Sequence, residues 1–116
     1  MTRAGSESVV RAFFAAMNAQ DAEAAVSFAR ADVAIALGSN SLVGHDALQT
    51  LALQTDDQLS FEWVATNVRH DGGEHVAVDA QRVQRWRATG EIASQDEVHV
   101  LFTLDASGAI ARIEFA

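Results

Sequence analysis

Three polar side chains interrupt an otherwise apolar alternating pattern in the second half of the chain: Arg82, Gln84 and Asp96. Arg82 and Gln84 are two residues apart, so they share one face of a β-strand. A carboxylate beside a guanidinium can act as a general acid or base, and an amide can orient a substrate or a water molecule. We therefore interpret Asp96 and Arg82 as candidate catalytic residues and Gln84 as a candidate substrate-binding residue. The alternative is an ion pair that only satisfies two charges within a core.

The segment His70-Asp71-Gly72-Gly73-Glu74-His75 contains residue types that bind metals. If Gly72-Gly73 forms a two-residue hairpin turn, both His side chains lie on one face of the hairpin and both acids on the other. Neither face then offers the usual number of ligands for a metal ion. The sequence therefore predicts no metal site, and we expect no other cofactor.

The charge and composition of the chain exclude several classes of protein. Its 116 residues carry 8 Lys+Arg against 16 Asp+Glu, a net charge of -8, which opposes binding to nucleic acid despite the basic stretch Arg82–Arg87 around Trp86. No apolar run approaches the roughly 18 residues that span a bilayer, so we expect no membrane partner. The N-terminal segment has no apolar signal-peptide core and the chain has no Cys, which fits a cytoplasmic protein.

Helical spacing of apolar residues predicts three helices in the first half of the chain. The chain contains no Pro and no linker-like segment, so we expect a single domain. The first contains Val9 to Met17, and Ser6 suits its N-cap. Asp21 caps the second helix, and the third begins after Gly44.

A period of two predicts strands in the rest of the chain. A short strand is expected at residues 32–37, and long strands at about 59–71, 74–88, 91–104 and 109–116. The Gly72-Gly73 turn sets Trp63 opposite Arg82, and a three-residue loop at 88–90 sets Arg82 opposite Asp96. A four-residue loop after residue 104 would pair Val100 with Ile113.

Strands of this length must twist and coil, so that one face of the sheet becomes concave and the helices can cover it. We predict an α+β fold shaped like a cone, with three helices packed on the concave face of a strongly curved, mostly antiparallel sheet. An apolar pocket is expected on that face. Besides Gln84, the residues that we expect to bind substrate there are Ile35, Leu37, Phe61, Trp63, Trp86 and Phe115, although the two Trp residues could equally belong to the core.

The opposite face of the sheet mixes apolar and polar residues, a composition typical of protein–protein interfaces. Its apolar members are Val64, Val68, Ala77, Val83, Leu101 and Ile110, and its polar members are Glu62, Gln81, Arg85, His99 and Glu114. Since two-fold symmetry is the commonest solution for a self-complementary surface, we expect a homodimer through this outer sheet face.

Several segments resemble the nuclear transport factor 2-like superfamily. They are Val10-Arg11-Ala12-Phe13-Phe14, Asn18-Ala19-Gln20-Asp21, Phe28-Ala29-Arg30-Ala31-Asp32-Val33, Val43-Gly44-His45-Asp46-Ala47-Leu48 and Gly108-Ala109-Ile110-Ala111-Arg112-Ile113. They are similar to the SnoaL-like branch, which includes polyketide cyclases, ketosteroid isomerases and limonene-epoxide hydrolases. The resemblance implies one SnoaL-like domain over residues 1–116 with the cone fold, and its members often dimerise through the outer sheet face.

The catalytic residues of the resembled enzymes match this chain only in part. The Arg of the epoxide hydrolases matches Arg82, but an Asp of theirs matches Gln84. Their Tyr and Asn match Ile35 and Leu37, and their last-strand Asp falls on Phe115. Ketosteroid isomerases use a Tyr, and this chain has none. Neither mechanism transfers whole.

The sequence leaves three functions open. The first is a cofactor-independent isomerase, lyase, cyclase or hydrolase that acts on a small apolar molecule by acid/base chemistry, with Asp96 as the acid or base. The second is a pocket that binds such a molecule without chemistry, which the apolar residues at the resembled catalytic positions favour. The third is a dimerisation module with a filled core.

Overall fold

The helices come first along the chain and the long strands follow. The computed structural model describes residues 3–52, 58–70 and 74–115. Its elements are α1 (Arg3–Asn18), α2 (Ala22–Ser27), β1 (Ala29–Leu37), β2 (Asn40–Val43), α3 (His45–Ala52), β3 (Leu59–His70), β4 (His75–Trp86), β5 (Ile92–Leu104) and β6 (Ile110–Phe115). None of the described helices has the length and apolar character needed to cross a bilayer.

The six strands form one sheet in the order β2-β1-β6-β5-β4-β3. Every neighbouring pair is antiparallel except β1 and β6, which run parallel. Helix α1 packs against β3 and β4, α3 packs against β1 and β2, and α2 contacts both other helices. The predicted α+β architecture, with three helices on a mostly antiparallel sheet, is therefore confirmed.

A contact between two aromatic rings shows how strongly the sheet curves. Trp63 on β3 and Phe115 on β6 have ring centroids only 5.7 Å apart. Two strands, β4 and β5, lie between β3 and β6 in the sheet, and neighbouring strands are about 4.8 Å apart. The rings can meet because the concave face bends their strands toward each other.

The core lies between the concave face and the helices. Phe13 and Phe14 of α1 pack edge-to-face on Phe102 of β5, with centroids 5.7 and 5.6 Å apart. Such pairs stabilise a core by about 0.5–1.5 kcal/mol beyond the apolar area that they bury. The alternation of β4 and β5 contributes Val76, Val78 and other residues to the same cluster.

The helical predictions differ from the structure mainly at their ends. Helix α1 begins at Arg3, so Ser6 lies inside it and is not the N-cap as predicted. Asp21 caps α2 as predicted, because its Oδ1 accepts a hydrogen bond from the backbone N–H of Ala24 at 3.1 Å. Strand β1 begins at Ala29, three residues earlier than predicted. Strand β2 was not predicted, because its four residues are all exposed and too few to show an alternation.

The predicted pairing of β3 with β4, and of β4 with β5, is confirmed around Arg82. Trp63 lies opposite Arg82, and Arg82 lies opposite Asp96. The loop between β4 and β5 is longer than the predicted 88–90, because Trp86 pairs with Glu91 and a bulge follows Gln84. Gly90 has the expected positive φ, +76°. The predicted Gly72-Gly73 turn, with its Asp71–Glu74 pair, involves positions 71–73, which lie outside the described residues.

The predicted register of β5 and β6 is wrong by two residues. Val100 pairs with Phe115 rather than Ile113. Asp105 contributes to the difference by shaping the loop, because its Oδ1 accepts hydrogen bonds from the backbone N–H groups of Ser107 and Ala109 at 2.9 and 3.0 Å. These bonds lower the pKa of the Asp105 carboxyl, led by the bond from the Ser107 hydroxyl. Next to the loop the pairing is shifted by one residue, since Leu104 pairs with Ile110, and the bulge that follows adds the second, so the faces of Ile113 and Phe115 stay as predicted.

Two bulges change the composition of the outer face. The pairing shifts between Ala65 and Asn67 on β3, and again between Ile110 and Arg112 on β6, which lie opposite Leu104 and Thr103. After these shifts Val68 packs against the core and Ile110 is fully buried within it. The prediction that both lie on the outer face is therefore wrong, and that face is less apolar than the sequence indicates.

Candidate functional site

A row of hydrogen-bonded polar side chains lies on the concave face, beyond the apolar core. Arg82, Gln84 and Ser94 are each half-buried there. With the Gln84 amide oriented to suit both neighbours, its oxygen accepts hydrogen bonds from Nε and Nη2 of Arg82. Its nitrogen then donates to the Ser94 Oγ at 3.0 Å. The three side chains therefore hold one another in a fixed arrangement.

An aromatic ring supports the Arg82 guanidinium. The Arg82 Cζ lies 5.5 Å from the centroid of the Phe61 ring, which is within the range of a cation–π contact. Phe61 lies opposite Gln84 on the neighbouring strand. Trp63 is the residue directly opposite Arg82, yet the ring that contacts the guanidinium is that of Phe61.

The expected ion pair between Arg82 and Asp96 does not form. The two residues are cross-strand partners, yet no contact within ion-pair distance joins them in the described part of the chain. Asp96 is exposed, so water solvates its carboxylate and burial does not force it to find a partner. Arg82 instead bonds to Gln84 on its own strand.

The apolar residues predicted for the pocket separate into two groups. Ile35 and Trp63 are buried in the core, with Leu37 and Phe115 packed partly buried against it. Phe61 lies beside the row of polar side chains, and Trp86 is 43% exposed at the end of β4. The structure thus brings Phe61, Arg82 and Gln84 together and places Ile35 deeper in the fold.

Trp86 borders a concavity of about 290 Å³ that is also lined by Gln58, Arg87 and Ala88. Arg87 fixes this end of the sheet, because its backbone N–H donates to the Gln58 carbonyl at 2.9 Å and its Nε donates to the Leu59 carbonyl at 3.0 Å. An exposed indole beside such a concavity can contact an apolar ligand.

Two residues near the site were not predicted to take part in it. Ser94 lies opposite Gln84, so extending the predicted register by one pair beyond Asp96 finds it. Asn18, at the end of α1, accepts a hydrogen bond from the Trp63 N–H at 2.7 Å and donates one to the Trp63 carbonyl at 2.9 Å. It joins the helix to the edge strand that carries Phe61, a contact that no local sequence pattern indicates.

Comparisons with known proteins give matches by structure only. No family model matches the chain, and no curated protein does. Among solved structures, a candidate polyketide cyclase from Xanthomonas campestris superposes with a TM-score of 0.79 at 19% identity, covering 97% of this chain and 90% of its own. The chain has the nuclear transport factor 2-like fold.

Two further structures of this fold carry different names. An LEH-like epoxide hydrolase from Mycobacterium tuberculosis has a TM-score of 0.78 at 18% identity, covering 97% of this chain and 77% of its own. An NTF2-like protein from Burkholderia xenovorans has a TM-score of 0.75 at 20% identity, covering 100% and 91%. Because one nuclear transport factor 2-like fold carries such different names, the function of this chain must be argued from its own residues.

Proposed function

We propose that this domain binds a small, largely apolar molecule on the concave face of its sheet. The proposal is supported mainly by the hydrogen-bonded row of Arg82, Gln84 and Ser94, which is half-buried beside Phe61. A few fixed polar groups that converge on an apolar concave surface are the usual mark of a ligand site. Phe61 and Trp86 would contact the apolar body of the ligand.

The polar group of the ligand follows from the donors of Arg82. A guanidinium has five N–H donors, and Gln84 accepts from two of its nitrogens. The remaining donors suit a carbonyl or carboxylate oxygen, and partial burial strengthens such a bond. We therefore propose a ligand that joins an apolar body to one such oxygen.

A catalytic role is the second candidate, supported by the position of Asp96 directly across from Arg82. Asp96 would exchange a proton with the bound molecule in a cofactor-independent isomerisation, elimination or hydrolysis. Ile35, Leu37 and Phe115 have no group that could assist, so we favour binding without chemistry. Once a substrate is found, Asp96→Asn should abolish its turnover, and retained turnover would remove Asp96 from the mechanism.

The binding proposal can be tested with one variant and a matched control. Apolar carboxylic acids and ketones are screened by thermal shift, and the affinity of each hit is measured by calorimetry. Arg82→Met should weaken binding about tenfold or more, because a charge-assisted hydrogen bond is lost. Arg11→Met removes the same charge from the exposed face of α1 and should change nothing. Equal affinities for Arg82→Met and the unchanged protein would overturn the proposal.

We also propose a homodimer through the half of the outer face around Val64 and Val83. Val64 is 39% exposed, whereas Val83 is 5% exposed among polar neighbours on β3 to β5. A mixed surface of this kind fits an interface with a polar rim. Light scattering should give the mass of a dimer, and Val64→Glu, at the exposed residue of the pair, should shift it toward monomer, with Glu23→Gln in α2 as control. A monomeric mass for the unchanged protein at tens of micromolar concentration would refute the dimer.

The cytoplasmic location stays a prediction.

A further inference from the structure

Asp79 organises a group of side chains on the outer face of the sheet, four residues along β4 from Val83. Its carboxylate accepts a hydrogen bond from Nδ1 of His99 at 2.8 Å and a two-fold contact from the guanidinium of Arg69, at 3.1 and 3.2 Å. The hydrogen bond from His99 is the largest cause of the lowered pKa of the Asp79 carboxyl. The ion pair with Arg69 adds to it.

This contact fixes which nitrogen of His99 can serve a ligand. An ionised carboxylate only accepts hydrogen bonds, so the proton of a neutral His99 must lie on Nδ1. Nε2 is then the acceptor, and it faces outward with Glu97 3.9 Å away. In its neutral form His99 is therefore held with Nε2 as an exposed hydrogen-bond acceptor, beside the carboxylate of Glu97.

His99 lines a concavity of about 230 Å³ on the outer face. Its other lining residues are Arg69, Ala77, Val78, Val100, Leu101 and Glu114. Ala77 and Leu101 give it apolar walls. Glu114 is a second acceptor: its Oε1 accepts from Nε of Arg112 at 2.6 Å, and the described residues give its other oxygen no hydrogen bond.

We propose that this concavity is a second binding site, which takes a small organic amine with an apolar body. Arg69, the only arginine or lysine among the described lining residues, already faces the carboxylate of Asp79. The acceptors His99 Nε2 and Glu114 suit an ammonium group, which has N–H donors and no acceptor. The net charge of -8 also attracts cations to the surface. The volume lies just below that of pockets for drug-sized molecules, so it fits a fragment-sized ligand.

The site is distinct from the proposed dimer contact. Ala77 and Val83 are six residues apart on β4, which corresponds to about 20 Å along a strand. A dimer centred on Val64 and Val83 borders the concavity, so amine binding is measured alongside the mass of the protein by light scattering, at concentrations that give monomer and dimer.

The test uses benzylamine as the probe, with benzyl alcohol and benzoate as ligands of similar shape and different charge. Calorimetry on the unchanged protein should detect benzylamine binding and a weaker response to the other two. Glu114→Gln removes the ammonium partner and should weaken benzylamine binding about tenfold. His99→Asn keeps a donor for Asp79 but removes the Nε2 acceptor, and should also weaken it.

Glu23→Gln is the control, because it removes one exposed negative charge from α2, far from the concavity. Three results would overturn the proposal: no benzylamine binding at roughly 10 mM, benzoate binding at least as tight as benzylamine, or equal weakening by Glu23→Gln and Glu114→Gln. The last result would mean that amines are attracted only by the general negative charge of the surface. Circular dichroism of each variant verifies that it is folded.

Discussion

The two ends of the β4–β5 hairpin share one face of the sheet, yet they differ in almost every property. At one end, Val76, Val78 and Phe102 are buried beneath the helices. At the other, the same alternation places Arg82 and Asp96. Exposure of this face rises along β4 from 0% at Val76 to 43% at Trp86. The period of two is the same along the whole hairpin, so alternation determines the face on which a residue lies. Whether that residue is buried depends on the helices that cover the face.

This gradient separates stability from recognition along a single hairpin. Apolar residues under the helices contribute to stability through buried area and close packing. Polar residues at the open end add little to stability but remain accessible to a ligand. If the separation is real, substitutions of matched residues at the two ends must have very different effects on the free energy of unfolding.

The two Trp residues provide the largest test of the comparison. Trp63 is 8% exposed and packs against Phe14 and Phe115, whereas Trp86 is 43% exposed. Trp63→Ala should lower the free energy of unfolding by about 3–5 kcal/mol, and Trp86→Ala by less than about 1 kcal/mol. Urea denaturation of both variants measures this. Similar losses would show that the open end is as important for stability as the core.

A smaller effect is expected where α1 meets the edge strand. Asn18→Ala removes both hydrogen bonds to the backbone of Trp63, at a cost of about 1–3 kcal/mol. Asn40→Ala, on the exposed strand β2, is the control and should cost less than about 0.5 kcal/mol. If Asn18→Ala is as neutral as the control in urea denaturation, water replaces these two bonds without loss.

The open end itself should show the smallest change. Arg82→Met removes a half-buried cation whose partners are neutral side chains, so the free energy of unfolding should change by less than about 1 kcal/mol. The same variant should lose ligand affinity, as proposed above. A large loss of stability in urea would instead make Arg82 a structural residue.

A pH titration extends the comparison to the outer face. The pKa of Asp79 is lowered from its ordinary value of 3.8, first by the hydrogen bond from His99. A group with a lowered pKa stabilises the fold above its unfolded-state pKa, and that contribution is lost as the pH falls through the folded-state pKa. Thermal unfolding of Asp79→Asn should therefore depend less on pH below about pH 4 than that of the unchanged protein. A parallel pH dependence of both proteins would contradict this.

The sequence predicted the sheet well where turn residues and alternation agree. Gly90 and the period of two gave the pairing of Arg82 with Asp96. The pairing of β5 with β6 was missed because it depends on the hydrogen bonds of Asp105, whose geometry alternation does not encode. Val68 and Ile110 were assigned to the wrong face for a similar reason, since one extra residue in a strand reverses every side chain after it.

Some residues of the candidate site lie together as the predicted register implied, but their contacts differ from those expected. Arg82, Gln84 and Phe61 are together as the register implied. The expected partner of Arg82 was Asp96, because opposite charges were placed across from each other. The ion pair does not form because Asp96 is exposed, and a solvated carboxylate gains little from an ion pair. Arg82 instead bonds to the amide of Gln84, two residues away on the same strand.

The parallel pairing of β1 with β6 also governs the order in which this chain can fold. Ile35 pairs with Ile113, so β1 and its hairpin partner β2 cannot join the other strands of the sheet until β6 has been synthesised. The β3–β5 meander is joined by consecutive hairpins and needs no such distant partner. During synthesis, β1 must therefore wait for the last described strand, with its apolar residues temporarily uncovered, whereas α1 can pack on β3 and β4 earlier. Pulsed hydrogen exchange during refolding should find β4 protected before β1, and the nascent chain is most prone to aggregation in the interval between the two.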